Sequence, residues 1–389
     1  MRIVELEARH VRIALRRKVT HASHTRTDTD NVVVRCVLAD GSVGYGEGLP
    51  RDYVTGETID SCLELLKSSD VPAQLAACPN FLAAIHLAER LALKPVPGDD
   101  RLIQGNAARC ALELAVLDAY GRAFGEPLVN VTRAIAPDLY EPREHVRYSG
   151  VIGNPKGWKG RVYPLVYRLA GFQQVKLKVG IPGTDDVKRT KRTRRWLGTK
   201  IDLRIDANEA WAAAEAAEKI RALEPFGITS VEQPVKHEEV AGLAEVRRAT
   251  RTPIMLDESL CGAVDAERAV AGGWCDLFNL RLSKCGGFIP SLRLAQLAKR
   301  AGLGYQLGCQ VGETGILSAA GRHFAASVSG IRYLEGSYDR HLVWEDLVAE
   351  DLTFARDGTA PMLVGSGLGA TVEPARVDWV TVRKETLLG

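Results

Sequence analysis

A chain of 389 residues with 46% hydrophobic and 25% charged side chains has the composition of an ordinary globular protein and is longer than one average domain. Its 51 basic and 48 acidic residues leave a formal charge of +3, which argues against a dedicated nucleic-acid surface and leaves acidic small molecules as partners. The opening MRIVELEARHVRIALRRKV alternates apolar and charged residues, and no apolar run reaches membrane-spanning length. The eight cysteines form no Cys-x-x-Cys pair, so reduced thiols in a cytoplasm are expected.

In chain order, residues 3–10, 31–38 and 43–47 read as three antiparallel strands, with Asp40-Gly41 as the hairpin signal between the last two. The polar stretch 21–30, which contains His24 and Arg26, is too long for a tight turn and is expected to be a functional loop. The glycines of GYGEG (44–48) end a hairpin and open no helix, which excludes a dinucleotide loop. Residues 56–124 turn helical. The clearest segment is 104–124, where Ala108, Ala111, Leu112, Ala115 and Tyr120 share a stripe and Gly125 and Pro127 stop the helix.

From about residue 146 the pattern alternates. Strands are expected at 146–152, 174–179, 201–206, 228–232, 253–257, 276–281, 303–309 and 331–335, with helices such as 185–197, 212–223 and 289–301 between them. Eight such units make a β/α barrel after an α+β module. The basic run KRTKRTRRW (188–196) falls on an outer barrel helix, where it reads as a solvated face or subunit contact. The tail after 355 ends in a strand-like segment, 377–382, expected to return to the first module. The division is thus a capping unit at 1–130, a barrel at 131–355 and a return at 356–389.

Lys178, Asp206, Glu232, Asp257 and Arg281 close successive apolar runs at gaps of 28, 26, 25 and 24 residues. One strand, one helix and two loops fill such a gap, so these side chains should share the end of the barrel that carries active sites. Asp206, Glu232 and Asp257 would repel one another unless a cation joined them, and hard oxygen donors suit Mg²⁺ or Mn²⁺. In VKLKVG, Lys176 and Lys178 alternate onto one strand face, where neighbouring positive charge lowers a lysine pKa and prepares a base.

Together VKLKVG, RIDANEAW, VEQP, LDES and NLRLSKCGG resemble the enolase superfamily in its muconate-lactonizing subgroup. YVTGET (53–58) and NAARCALELAVLDAYGRAFGEPL (106–128) resemble its capping domain, so the resemblance covers essentially the whole chain. It implies a modified TIM (β/α)7β-type barrel under an α+β cap built from both chain ends, and a homo-oligomer acting on a small carboxylate. It further implies removal of the proton α to that carboxylate by Lys178, tuned by Lys176, to give an enediolate stabilised by Mg²⁺ on Asp206, Glu232 and Asp257. Asn208 and Glu258 would support the ligands. His24, Arg26, Tyr53 and Thr55 of the cap, with Glu313 and Glu335 of the barrel, would meet the substrate.

Two positions depart from the family pattern. Arg281 stands where the subgroup carries its second catalytic lysine, and arginine does not readily release a proton. YLEGSYD offers Glu335 and Ser337 where dipeptide epimerases carry an Asp-x-Asp that grips an ammonium. Both favour a muconate-cycloisomerase-like isomerase or one-base lyase. An amino-acid or dipeptide epimerase is the alternative, and a catalytically silent barrel with a binding role is the third reading.

Overall fold

The computed structural model describes residues 1–20, 25–153 and 159–389. Two sheets carry the architecture. The first is antiparallel, built from β1 (Ile3–Thr20), β2 (Thr25–Leu38) and β3 (Val43–Gly48). The second has eight strands in parallel pairing: β5 (Gly150–Ile152), β6 (Gln174–Lys178), β7 (Asp202–Asp206), β8 (Ile228–Glu232), β9 (Ile254–Leu256), β10 (Leu277–Leu280), β11 (Gly304–Leu307) and β12 (Ile331–Leu334). Neighbours in space are neighbours in sequence, as short right-handed crossovers require. The Ser149 amide donates to the Leu334 carbonyl at 2.8 Å and brings the last strand back to the first.

Three expectations change. The strand expected at 146–152 divides: β4 (His145–Arg147) turns away to pair antiparallel with β13 (Thr359–Pro361), and only β5 enters the barrel sheet. The polar stretch expected as a loop is partly strand, because β1 and β2 extend as a long ribbon with Arg12 opposite Asp30 and Ile13 opposite Thr29. Such a ribbon needs no apolar face at its tip, so the hydrophobic pattern does not announce it. At the other end, the segment read as a strand at 377–382 begins as the helix Pro374–Val380, followed by β14 (Thr381–Leu388). Proline sits at the first helical position there, where its missing N–H costs nothing. β14 pairs with β1, giving the order β14-β1-β2-β3, so the chain's end does return to the first sheet.

The helix Asn106–Phe124 is buried nearly all round and packs on β3 and β2. Its close approach explains GYGEG. A Cβ on Gly44, Gly46 or Gly48 would lie within 2.1 Å of backbone atoms of Ala119, Ala111 and Ala107 respectively. Glycine every second residue on a strand therefore meets alanine every fourth residue on a helix. Polar side chains of the same helix reach the barrel: Asn106 donates to the carbonyls of Cys261 and Lys284, and Glu113 accepts from the Phe288 amide at 2.5 Å. Glu113 thereby caps the barrel helix Phe288–Arg300 from outside and fixes the loop after β10.

Candidate active site

Each of β6 to β9 delivers a polar side chain at or just past its C-terminal end: Lys178, Asp206, Glu232 and Asp257. Lys178 is opposite Asp206 in the sheet, and Asp206 is opposite Glu232. Arg281 follows β10 and Glu335 follows β12. The sequence spacing thus puts all six at one mouth.

The three carboxylates are buried and wrapped in cations. Lys176 Nζ lies 3.2 Å from both oxygens of Glu232, 3.3 Å from Asp206 and 2.9 Å from Glu335. Burial pulls the Lys176 pKa down, but Glu232, Glu335 and Asp206 outweigh it and leave the pKa above its ordinary value. Lys176 is therefore a fixed ammonium. Lys178 differs: its side chain is 29% exposed, its Nζ donates to Asn208 Oδ1 at 2.9 Å, and Asp206 is 4.0 Å away.

Arg281 donates to Asp257 Oδ2 and stands 3.6 Å from Glu232. Burial opposes the Arg281 charge, yet Asp257, Glu258, Glu232 and Glu335 raise its pKa further, so it keeps its proton. Lys284, in the loop after β10, is wholly buried and takes the other oxygen of Asp257 at 2.9 Å, with the Asp257 carbonyl at 2.6 Å. Burial raises the pKa of Asp257, but the two cations bring it below the usual carboxylate range.

The residue types suit a hard divalent ion: three buried carboxylates on adjacent strand ends, among which Asp206 Oδ2 receives no hydrogen bond. As the side chains stand, no three His, Cys, Asp or Glu groups among the described residues close on a single point. Arg281 stands between Glu232 and Asp257, so an ion at Asp257 Oδ2 would share that oxygen with the guanidinium.

Several supporting residues escaped the sequence reading. Gln233 accepts from the Asp257 amide at 2.8 Å and donates to Ser259, locking the next strand end in place. Asn279 donates to Glu232 at 2.9 Å, and Arg204, buried beneath the site, pairs with Glu335. Their signal was a polar residue inside an apolar strand run, legible only once burial is known. Asn208, Glu209, Gln233 and Ser337 are four of the six described non-glycine residues with left-handed φ. Such backbone costs on the order of 1–3 kcal/mol per residue and concentrates where side chains must be aimed.

The remaining candidates divide. Asn208 donates to Glu258 at 3.4 Å, as expected of a supporting pair. Arg26 lies over the Tyr53 ring at 5.6 Å, and Tyr53 packs with Val54, Ile103 and Cys261, joining cap to barrel. Thr55 turns inward to the Arg51 carbonyl. His24 lies outside the described residues. Glu313 and Glu335 line one narrow pocket with Tyr148, Leu282, Ser318 and Ser337. His323 is buried against the Leu368 carbonyl. Cys275 precedes β10, at the end of the barrel away from the mouth.

An eight-stranded parallel β/α sheet with acids and lysines at its C-terminal end, under an antiparallel cap, is the architecture of a β/α-barrel enzyme. The family model described as "Enolase C-terminal domain-like" matches residues 165–376, and the chain belongs to the enolase superfamily. It is 29% identical to the N-succinyl-L-Arg/Lys racemase of Bacillus cereus over 86% of this chain and 87% of that one. It is 32% identical to the hydrophobic dipeptide epimerase of Enterococcus faecalis over 85% and 89%. The solved dipeptide epimerase of Cytophaga hutchinsonii, complexed with Mg and D-Ala-L-Val, superposes with a TM-score of 0.83 at 26% identity, covering all of both chains. These relatives are epimerases and racemases, which moves the weight from the cycloisomerase expectation to its alternative. No helix among the described residues is long and apolar enough to cross a membrane.

Proposed function

We propose that this chain is an epimerase or racemase of a carboxylate-bearing amino-acid derivative, acting by removal of the α-proton. The observation that carries the reading is the contrast between the two lysines of β6. Lys176 is buried among three carboxylates and holds its proton, while Lys178 is partly exposed at the mouth with Asn208 aiming its Nζ. Lys178 is the base. It takes the α-proton when neutral, with Asn208 holding the nitrogen in line, and because Arg281 keeps its own proton, inversion takes a proton from solvent on the opposite face. Lys176 contributes fixed positive charge below it.

Asp206, Glu232 and Asp257 would hold Mg²⁺, or Mn²⁺ in its place, and the bound ion would supply positive charge to the substrate carboxylate as the α-carbon loses its proton. Gln233, Asn279 and Lys284 hold two of those carboxylates in position. Arg281, a guanidinium that keeps its proton, serves as an electrostatic group on the opposite side. That property supports a second reading, one-base isomerisation or elimination, in which Lys178 alone moves protons. We further propose a homo-oligomer in a reducing cytoplasm; the eight free cysteines support the compartment.

The test is proton NMR in D₂O with Mg²⁺, run on pools of dipeptides and N-acyl amino acids, with chiral chromatography of the product. The epimerase reading expects α-deuteration with inversion. Lys178→Ala should lower exchange by a factor on the order of 10²–10⁴. Exchange with complete retention would replace it by the one-base reading, and undiminished exchange in Lys178→Ala would remove Lys178 as the base.

A further inference from the structure

Residues 339–346 follow the end of β12 as a strap that starts in the short helix Asp339–Leu342 and runs along β1. The strap carries the stem of the cap ribbon. The Trp344 amide donates to the Ala14 carbonyl at 2.9 Å, and Leu15 bridges Val343. Arg16 donates to the Val343 carbonyl at 2.8 Å, and its guanidinium lies 4.8 Å over the Trp344 ring.

The two ends of the strap meet at a pair of acids. Asp339 and Asp346 are 2% and 7% exposed, and both anchor on the first turn of the helix Gly315–Ser327. Ser318 donates to Asp339 Oδ1 at 2.7 Å, and the Gly315 amide donates to Asp346 Oδ1 at 2.8 Å. The second oxygen of each acid, Oδ2, is buried and receives no hydrogen bond from any other described group. The two carboxyl groups are nevertheless hydrogen-bonded to each other. Ionised carboxylates only accept, so a bond between them requires a proton on one.

The surroundings add negative charge. Glu47 from β3 faces Asp346, and Glu313 from the loop after β11 faces Asp339. The cations nearby are engaged elsewhere. Arg322, one turn along the helix from Ser318, donates to Ser337 at 2.9 Å and to the Leu352 carbonyl. Arg340 reaches the Ala349 carbonyl and Asp351, while Arg376 holds the Asp346 and Val348 carbonyls and pairs with Glu345. His341 packs on the Tyr338 ring. Burial, with Asp339 and Glu47 beside it, raises the Asp346 pKa to about 8, so the proton stays at neutral pH.

We infer that Asp339 and Asp346 share one proton and that this proton latches the strap: its loss to solvent sets two buried carboxylates against each other and releases the stem of the ribbon. In a released strap both carboxyl groups meet water and titrate near 4, the ordinary value. Between about pH 4 and about 8 the closed strap therefore holds a proton that the open strap lacks, and opening becomes easier as pH rises. Above about 8 the closed strap has lost it too, and opening levels off.

Hydrogen–deuterium exchange of the strap amides tests this, because Val343 and Trp344 donate to the Asp339 and Ala14 carbonyls and exchange only when the strap opens. After correction for the intrinsic pH dependence of exchange, wild-type protection should fall at least about tenfold between about pH 5.5 and 7.5; one proton allows at most about tenfold per unit. In Asp346→Asn a carboxamide donates where the proton stood and still accepts from Gly315, so protection should change less than about threefold over that range. Asp339→Asn makes the same test from the other side of the pair. Both variants keep Glu47 and Glu313, so the difference from wild type belongs to the pair alone. Wild-type protection indifferent to pH, or the full wild-type slope in either folded variant, would overturn the shared proton.

Discussion

The guanidinium of Arg281 donates to Oδ2 of Asp257, a carboxylate oxygen expected to face a metal ion. Lys284 holds the other oxygen at 2.9 Å, so each oxygen of Asp257 already faces a cation. A divalent ion at Oδ2 would meet the positive charge of Arg281 at that oxygen, and like charges oppose each other there.

Removing this competition should tighten metal binding. Arg281→Met is expected to bind Mn²⁺ at least about tenfold more strongly than wild type, close to 1.4 kcal/mol. Arg281→Lys, which keeps the charge but lacks the fork, should fall between them. Titration followed by the electron paramagnetic resonance of free Mn²⁺ reads this without reference to turnover. Unchanged or weaker binding in Arg281→Met would mean that guanidinium and ion do not share the oxygen.

Lys176 carries stability as well as charge. Its ammonium is buried and lies within 3.3 Å of Glu232, Asp206 and Glu335. Lys176→Met should cost about 3–5 kcal/mol, because uncompensated buried carboxylates remain behind. Urea unfolding followed by circular dichroism measures the loss, and a cost below about 1 kcal/mol would show that the acids find other partners.

The cap is sensitive to a single methyl group. In Gly46→Ala the new Cβ would sit 2.0 Å from the Ala111 carbonyl oxygen and 2.5 Å from the Ala115 amide nitrogen. Backbone cannot yield as a side chain does, so the helix Asn106–Phe124 must shift, at about 1–3 kcal/mol or more. A melting temperature equal to wild type would contradict that packing.

Two buried groups should bend the pH dependence of stability in opposite directions below pH 7. Burial lowers the His323 pKa from 6.5 to about 4, so the unfolded chain binds a proton that the folded chain refuses, and stability is lost as pH drops from 6.5 toward 4. Burial raises the Glu57 pKa from 4.5 to about 7. Within that window the folded chain holds the extra proton, and this group's stabilisation declines as pH rises from 4.5 to 7. Each slope is at most about 1.4 kcal/mol per pH unit. On acidification through this range the melting temperature should fall less in His323→Asn and more in Glu57→Gln than in the wild type; an unaltered pH dependence in His323→Asn would exclude that residue as a source.

Even spacing made the mouth of the barrel readable. A parallel β/α unit repeats with little variation in length, so the spacing of Lys178, Asp206, Glu232, Asp257 and Arg281 alone marks their shared end. The two lysines of VKLKVG were equally legible as residue types, and the period of two put them on one face. Their difference was not legible. Local pattern says nothing of Glu335, 159 residues from Lys176, or of Arg204 beneath it, yet these decide which lysine is locked.

The same limit explains the other surprises. Long-range pairing set the extent of β1 and β2, whose tip has no apolar face to read. Burial turned Lys284 from a loop lysine into the second grip on Asp257. What the sequence determined by itself was the order of elements, the identity of the polar side chains and the end of the barrel where they gather, because these follow from periodicity and chain length. What only the tertiary structure decided was which charges meet. Coulomb energy depends on distance and burial, and both are fixed by contacts between segments far apart in the chain.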